Sequence, residues 1–393
     1  MNETDASGAR YSLWQLVRYM LGLGTWGFGG PVALVGFMYR DLVERRAWIC
    51  EGDYREGMTL AQLMPGPLAA QLAMYLGYVH YRVLGATMAG LAFVLPSLLM
   101  VIALGAVYVA YGGIAWMQAV FYGVGAAVIG IIAMSAWKLT AKNIGRDKLL
   151  WTIFLASAAV TVATKSEIVW LFLGAGVLVW LVRAPPRHRI GSRLNCLAVS
   201  TPLIGALLVV GSGQASRLLE LGGFFAYAGS FVFGSGLAIV PFLYGGVVQE
   251  HHWLTERQFV DAVAVAMITP GPVVITTGFI GYLVAGFWGA IVSAAGTFLP
   301  CYLFTILPAP YFKKHGKRPG IVAFVDGVTA AAIGAITGAV IVIGQRSITD
   351  WVTATMALAS VAVLWRFKKV PEPVIVATAA LIGLVVHPLM AHA

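Results

Sequence analysis

The chain has 393 residues, of which 60% are hydrophobic and only 11% are charged. A water-soluble domain carries about 25% charged residues, so this chain could not cover a soluble surface. The same figures exclude intrinsic disorder, a coiled coil, collagen and a small disulfide scaffold. What remains is an all-α integral membrane protein. At about 20 residues per transmembrane helix, its apolar content suffices for a dozen or so spans.

Thirteen apolar stretches, in chain order, predict a polytopic helix bundle. The N-terminus is polar and no small-residue cleavage site follows the first stretch, so we expect a retained span rather than a signal peptide. The stretches lie at 12–38, 58–79, 84–110, 114–136, 149–164, 167–182, 196–210, 219–247, 261–284, 286–311, 320–345, 349–365 and 370–390.

The net charge of +10 is concentrated in four clusters that hold fifteen of the 26 basic residues. The clusters follow predicted spans four, six, ten and twelve, as cytoplasmic loops would if the N-terminus is cytoplasmic. This distribution favours a membrane protein over a nucleic-acid-binding one and places the C-terminus outside. The clusters are Lys138, Lys142, Arg146 and Lys148; Arg183, Arg187, Arg189 and Arg193; Lys313, Lys314, Lys317 and Arg318; and Arg366, Lys368 and Lys369.

An internal repeat is the strongest signal in the sequence. Residues 28–67 align without a gap onto residues 233–272, an offset of 205, with 13 identities in 40 positions. The copies begin seven predicted spans apart, an odd number, so they face opposite ways across the membrane. Inverted repeats of this kind are typical of secondary transporters, whose substrate site lies between the copies. We therefore predict a first repeat at 1–183, a cytoplasmic basic linker at 184–195 and a second repeat at 196–393.

A Pro-Gly-Pro triplet interrupts apolar sequence in each copy and predicts a helix break there. Broken backbone at membrane depth is tolerated where it lines a wet cavity, and free N–H groups at a helix start attract anions. The alternative is a simple packing kink. The predicted substrate-binding residues here are Pro65, Gly66, Pro67, Pro270, Gly271 and Pro272, with the flanking polar residues Gln62, Gln71, Thr269, Thr276 and Thr277, which could instead bond only to neighbouring backbone.

A second pair of weak points lies earlier in each copy. It comprises Gly29 and Gly30 in the first, and Gly234, Ser235 and Gly236 in the second. These residues are candidates for a second unwound element at the substrate site. Small-residue faces for close helix packing are the alternative.

Charged side chains near the repeats supply further candidates. The segment 40–56, predicted to be extracytoplasmic, is either an interfacial helix with paired charges or a site where Arg45 contacts an oxyanion. Acidic groups at membrane depth are often proton carriers. Glu56 and Asp261, at equivalent positions of the repeat, and Asp326 are therefore candidates for proton coupling, unless each pairs with a basic residue at the interface.

Three motifs of the first copy, with their counterparts in the second, resemble those of the chromate ion transporter (CHR) family in its long two-domain form. They are Phe28-Gly29-Gly30-Pro31, Glu44-Arg45-Arg46-Ala47-Trp48 and Gln62-Leu63-Met64-Pro65-Gly66-Pro67. The resemblance implies export of chromate across a bacterial inner membrane, chromate resistance, and drive by the membrane potential or a proton gradient. Sulfate, an isostere of chromate, competes in that family. The second copy departs from the first, with Gly245-Gly246 and Gln249-Glu250-His251 in place of Arg40-Asp41 and Glu44-Arg45-Arg46.

No cofactor, metal site or enzymatic activity is predicted. Cys50, Cys196 and Cys301 are far apart, and His251 and His252 lack further metal ligands nearby. The expected partners are chromate or a sulfate-like oxyanion and the lipid bilayer, and a homodimer is allowed. Two alternatives stay open: a passive anion channel and a membrane-embedded enzyme acting on lipid-linked substrates.

Overall fold

The computed structural model describes residues 11–27, 30–111, 115–164, 169–185, 213–232, 239–311, 318–348, 350–367, 370 and 372–391. These residues form helices and no strand, in agreement with the predicted all-α class. The predicted span at 196–210 and most of the basic linker lie outside the described residues. The first half contains α1 (Leu13–Trp26), α2 (Gly30–Met38), a π-helical turn (Tyr39–Arg45), α3 (Glu51–Leu63), α4 (Leu68–Tyr111), α5 (Ala115–Asn143), α6 (Lys148–Thr164) and α7 (Val169–Arg183).

The second half repeats this order of elements. It contains α8 (Gly213–Gly229), α9 (Ile239–Leu243), a π-helical turn (Tyr244–Glu250), α10 (Glu256–Ile268), a 3₁₀ turn (Val273–Ile275), α11 (Thr276–Ile306), α12 (Pro319–Ser347), α13 (Trp351–Arg366) and α14 (Glu372–Ala391).

Four described helices are long and apolar enough to cross a membrane, within Leu68–Tyr111, Gln118–Ala141, Val273–Tyr311 and Pro319–Val342. Shorter apolar helices accompany them. One of these, α13, carries highly exposed tryptophans at both ends, Trp351 and Trp365, as expected of a helix that ends in the two interfacial layers of a bilayer. The protein is thus a helical membrane protein, and the count of thirteen spans stays a prediction.

The stretches 12–38 and 58–79 are not continuous helices in the structure. The ring of Tyr11 stacks on Trp48 at 5.1 Å, and its hydroxyl lies 2.9 Å from His80 Nδ1. The start of α1, the start of α3 and the end of the first arm of α4 therefore lie at one level. Each stretch must turn back between them, which makes hairpin I (α1 and α2, tip at Gly27) and hairpin II (α3 and the 68–81 arm of α4, tip at Pro65–Pro67).

Glycine allows the close approach within hairpin II. A Cβ on Gly57 would lie 2.3 Å from the ring of Tyr75, and these residues stand almost equally far from Gly66 on either side. Helices break at both triplets as predicted, because proline cannot donate and clashes with the preceding turn. Gly66 (φ 144°) and Gly271 (φ 95°) adopt backbone angles that other residues rarely reach.

The second half folds the same way. Glu220 Oε1 of α8 lies 3.2 Å from His251 Nδ1, after the π-helical turn, and Phe224 of α8 contacts Trp253 at 5.4 Å. These contacts define hairpin III, formed by α8 and α9, with Val232 near its tip. Hairpin IV consists of α10, which packs against α11, and the 276–284 arm of α11, with its tip at Pro270–Pro272.

The long arm of α4, residues 83–111, shows how the hairpins are oriented. α4 reverses at Arg82 (φ 52°, ψ −142°), next to Tyr81, whose hydroxyl donates to the carbonyl of Tyr11. Ser97 reaches Pro270 at the tip of hairpin IV, and Tyr108 reaches Asp261 farther along in α10. Hairpins I and II thus approach the tips from one end of this arm, and hairpin IV from the other. Inverted copies would produce this arrangement, although the duplication itself stays a prediction.

Hairpin I changes the expected side of the segment 40–56. That segment was expected to be extracytoplasmic because 12–38 was treated as one crossing. In the structure, α1 has 14 residues, or about 21 Å, and the chain then returns to the level of Tyr11. The segment therefore lies on the side where α1 begins.

The halves are interlocked behind the hairpins. α5 packs against α13 and α14, whereas α12 packs against α6 and α7. Small residues permit these contacts: a Cβ on Gly123 would lie 2.0 Å from the carbonyl oxygen of Ala379, and one on Gly334 would lie 2.3 Å from that of Phe154. Each half thus completes the helical layer of the other.

Candidate functional site

The tips of the hairpins meet through backbone hydrogen bonds between the two halves. The amide of Gly271 donates to the carbonyl of Gly27 at 3.0 Å, and the amide of Gly66 donates to the carbonyl of Val232. Gly27 and Val232 stand at equivalent positions, 205 residues apart. Each Pro-Gly-Pro triplet is therefore joined to the first break of the opposite half.

These bonds limit which backbone groups at the tips could contact an anion. The amides of both triplet glycines are already used. The remaining candidates are the N–H groups that begin the following helices, because the first N–H groups of a helix lack partners within it. They belong to Leu68, Ala69 and Ala70 after the first triplet, and to Val273 and Val274 after the second.

Buried side chains satisfy the carbonyl groups of the triplets. Gln71 Nε2 donates to the carbonyl of Pro65 at 2.7 Å. Ser97 Oγ lies 2.7 Å from the carbonyl oxygen of Pro270 and 3.3 Å from that of Gly24. Gln71 is completely buried, and its Oε1 has no hydrogen-bond partner among the described residues. A buried hydrogen-bond acceptor, Gln71 Oε1, therefore lies directly beside the first tip.

The threonines around the second triplet bond to backbone. Thr269 Oγ1 donates to Ala266, Thr276 Oγ1 to Val273 and Thr277 Oγ1 to Val274, at 2.8 to 3.1 Å. Their hydroxyl hydrogens are therefore not directed at an anion in this conformation, which matches the alternative considered for them.

The remaining residues predicted to bind the substrate at the tips have different surroundings. Gln62 lies exposed near the end of α3, and Gly30 begins α2. Pro67 and Pro272 immediately precede the helical turns whose free N–H groups remain available. Gly29, Gly234, Ser235 and Gly236 lie outside the described residues.

The three acidic candidates have different surroundings. Asp261 is only 3% exposed and accepts a hydrogen bond from the Tyr108 hydroxyl at 2.8 Å. Glu56, its equivalent, is hydrogen-bonded to Tyr75. Asp326 is 39% exposed and pairs with Arg183 at 2.7 Å, so it has the interfacial basic partner that was considered as the alternative. Only Asp261 combines burial with contact to the other half.

An open cavity of about 660 Å³ lies between α1 and the first π-helical turn. Its wall carries three arginines and one acidic residue, and it reaches Gly27 at the tip of hairpin I. We call it the arginine cavity. The charged residues that line it are Arg18, Arg40, Arg46 and Asp41.

Arg45, the arginine predicted to contact the oxyanion, is not among the lining residues. Its side chain is 67% exposed, and it pairs with Asp41 at 3.4 Å. Arg18 was missed, although a signal existed: it is a lone charge inside an apolar stretch, which is a functional candidate by default. Gln15, Arg18 and Gly22 also follow the helical spacing that places residues on one face.

Comparison with known proteins agrees with the resemblance noted from the motifs. A chromate transport protein of Cupriavidus metallidurans is 67% identical over 99% of this chain and 98% of its own length. A probable chromate transport protein of Synechococcus elongatus is 61% identical over 95% and 96%. A chromate transport protein of Pseudomonas aeruginosa is 30% identical over 98% and 95%. No solved structure matches the chain.

The family model described as chromate transporter matches the chain twice, at residues 14–180 and 219–384. The two matches cover most of both halves, including most of each hairpin. The chain therefore belongs to the chromate transporter family.

Proposed function

We propose that this protein exports chromate, or a related divalent oxyanion such as sulfate, from the cytoplasm across a bacterial inner membrane. The observation that carries the proposal is the meeting of the hairpin tips, where Gly66 bonds to Val232 and Gly271 to Gly27. Helix starts from both halves converge there, and substrate sites of secondary transporters lie at such breaks.

The proposed anion contacts are backbone N–H groups rather than fixed charges. The helical turns after Pro67 and Pro272 begin with unpaired N–H groups, whose dipoles favour an anion. Gln71 Nε2 is held beside the first turn by the carbonyl of Pro65 and has a second hydrogen to donate. Without a fixed cation, the anion is held weakly enough to be released.

The charge clusters support a sidedness in which the arginine cavity faces the cytoplasm. The first cluster, Lys138 to Lys148, follows two long crossings, the 83–111 arm of α4 and α5. It therefore returns to the side on which α1 begins. The positive-inside rule assigns that side to the cytoplasm, together with the N-terminus and the segment 40–56.

The membrane potential is sufficient to drive export. With the interior negative, a divalent anion gains about 4.6 kcal/mol per 100 mV on leaving the cell. This corresponds to a gradient of over a thousandfold at about 1.4 kcal/mol per decade. Proton coupling is therefore not required. If protons contribute, we propose Asp261 as the carrier, since its buried carboxyl group accepts a hydrogen bond from the Tyr108 hydroxyl and interacts with the charge of Arg257.

Flux of radiolabelled chromate and sulfate in proteoliposomes, under imposed potential and pH gradients, tests the proposal. We expect flux that saturates with anion concentration and accelerates when the potential drives anion out of the cytoplasmic face. Flux that does not saturate and cannot be trans-stimulated would instead indicate the passive channel. No anion flux under any gradient would reject both.

A further inference from the structure

We propose that the arginine cavity is a second binding site for a divalent tetrahedral oxyanion, where the anion is held before it reaches the hairpin tips. Arg18 and Arg46 are the principal contacts, with Arg40 beside them. The identity of the anion rests on the proposed function, but the existence of the site rests on the cavity alone.

The charge of the cavity is unbalanced. Among the described residues that line it, Asp41 is the only acidic one, and it lies 3.3 Å from Arg40 and 3.4 Å from Arg45. Within the described part of the chain, neither Arg18 nor Arg46 forms an ion pair. Three arginines against one aspartate leave the lining at about +2, which matches a divalent anion.

Arg46 is held ready for such a ligand. Its guanidinium lies 4.6 Å from the ring centre of Trp48 and 5.4 Å from that of Tyr19. Stacking fixes the plane of the group through its face and leaves the N–H edges available, and those forked donors suit an oxyanion. Little side-chain freedom remains to be lost on binding.

The fold itself does not require these charges, as the second half shows. At the positions of Arg18, Arg40, Asp41 and Arg46, the second half has Gly223, Gly245, Gly246 and His251, respectively. His251 stacks on Trp253 at 4.4 Å, much as Arg46 stacks on Trp48. Phe224, at the position of Tyr19, packs so closely that a Cβ on Gly246 would lie 2.1 Å from its ring. The Phe224 ring thus occupies the space beside Gly246, and among the described residues the charged lining is found in the first half alone.

The cavity also leads toward the tips. Gly27 lines it, and the carbonyl of Gly27 accepts the amide of Gly271. An anion in the cavity therefore lies next to the bond that joins the two halves.

A cysteine at Gly22 reports occupancy without relying on transport. Gly22 lines the cavity, and a Cβ there meets no atom within 4 Å, so Gly22→Cys introduces no clash. In a background of Cys50→Ser and Cys196→Ser, an anionic thiol reagent labels this site in phosphatidylcholine vesicles. Sulfate serves as the probe because it does not oxidise thiols. We expect sulfate to slow labelling at least threefold, and chloride at equal ionic strength to leave it unchanged.

Neutralising variants identify the contacts. In the Gly22→Cys protein, Arg46→Gln or Arg18→Gln should raise the half-protecting sulfate concentration tenfold or more. Arg55→Gln is the matched control, because Arg55 is 76% exposed, pairs with Glu51 and does not line the cavity. Equal protection by chloride, or equal protection in all three variants, would overturn the proposal. Loss of this protection when anionic phospholipid is added to the vesicles would identify the headgroup phosphate as the stronger ligand and also overturn the proposal.

Flux measurements separate this inference from the proposed function. Protection by sulfate without sulfate or chromate flux would reject the function and leave the site standing. If Arg46→Gln raises the half-saturating anion concentration for flux but retains the maximal rate, the result would support both the site and the function. Normal flux without protection would reject the site alone.

Discussion

The amide of Gly271 and the carbonyl of Gly27 are 3.0 Å apart, although they belong to opposite halves of the chain. The bond between Gly66 and Val232 repeats this relationship at an offset of 205. Any movement of one half against the other must carry these two bonds along or break them. The tips are therefore one of the places where the halves are joined and, by the proposal above, the place where the anion passes.

The first prediction concerns the glycines at the tips. Gly66→Leu and Gly271→Leu should abolish chromate transport while the protein still inserts. A Cβ would lie 2.5 Å from Gln71 Nε2 at Gly66 and 2.0 Å from Ser97 Oγ at Gly271, and both glycines have positive φ. The measurement is chromate uptake into everted vesicles, with the amount of inserted protein determined by immunoblotting.

Gly36→Ala is the control for these variants. Gly36 lies in α2, and a Cβ there meets nothing within 4 Å, so transport should be unaffected. Wild-type affinity for chromate in both leucine variants would reduce the triplets to packing kinks.

The second prediction concerns topology. Cys50 and Thr255 occupy equivalent positions, and each caps the helix that follows it. In intact cells, the native Cys50 should resist a membrane-impermeant maleimide, whereas Thr255→Cys in a Cys50→Ser background should react. Permeabilised cells serve as the control for reactivity. Labelling of both residues from the same side would contradict the opposed hairpins.

The pH dependence of labelling is a third prediction. Partial burial, with Asp53 close by, raises the pKa of the Cys50 thiol above its usual value. Because the thiolate is the reactive form, its labelling in permeabilised cells should rise about tenfold per pH unit through pH 7 to 8. For a cysteine introduced at the exposed position Glu44, the labelling rate should level off at a lower pH than for Cys50. Identical profiles would mean that the surroundings of Cys50 do not raise the pKa of its thiol.

The fourth prediction tests Asp261 as a proton carrier. Asp261→Asn should retain exchange of labelled for unlabelled anion but lose acceleration by a pH gradient, because the amide cannot carry a proton. Tyr108→Phe removes the hydrogen bond to Asp261 and should shift the pH at which acceleration is half-maximal. Asp326→Asn tests a second acidic candidate. An unchanged pH response in Asp261→Asn would mean that Asp261 does not carry protons and has a structural role only.

The fifth prediction concerns stability near the basic cluster. Asp147 caps α6 by accepting from the amides of Leu149 and Leu150 at 2.8 and 3.2 Å, and it pairs with Arg183. Asp147→Ala should cost about 1 kcal/mol through the lost cap. Asp147→Asn keeps a capping side chain and should cost less, because exposed ion pairs contribute little. Thermal unfolding in detergent measures both, and equal losses would contradict the capping role.

The same residue gives this region a dependence on acid. The amide of Leu150, with help from Arg183, lowers the pKa of Asp147 in the folded protein. A carboxyl with a lowered pKa stabilises the fold above its unfolded pKa of about 3.9, and this contribution is lost as the pH falls through the folded value. The difference in stability between wild type and Asp147→Asn should therefore begin to shrink below about pH 4 and disappear once the pH is below the folded value.

The breaks were predictable from the sequence because their signals are local. Proline and glycine at Pro65–Pro67 and Pro270–Pro272 exclude a continuous helix whatever surrounds them. The acidic residue Asp261 was likewise recognisable, because a lone carboxylate in an apolar segment needs a reason.

The hairpins were not predictable, because hydropathy reports apolar length and not direction. A re-entrant stretch and a crossing of 27 residues at 12–38 look alike until Tyr11 is seen against Trp48. The arginine cavity depended on that fold: Arg18 and Arg46 are 28 residues apart, and only the turn at Gly27 brings them to one wall. Arg45, beside Arg46 in sequence, lies outside the cavity because the π-helical turn points it toward solvent.

The interlocking of α5 with α13 and α14 sets a condition on biosynthesis. About 250 residues separate the end of α5 at Asn143 from the end of α14 at Ala391, or about 12 to 50 s of translation at 5–20 residues per second. During that interval Ala379 is not yet available to pack against Gly123, so the helical layer of the first half is incomplete in the bilayer. A chain truncated after α7 should accordingly be degraded unless the second half is co-expressed as a separate polypeptide.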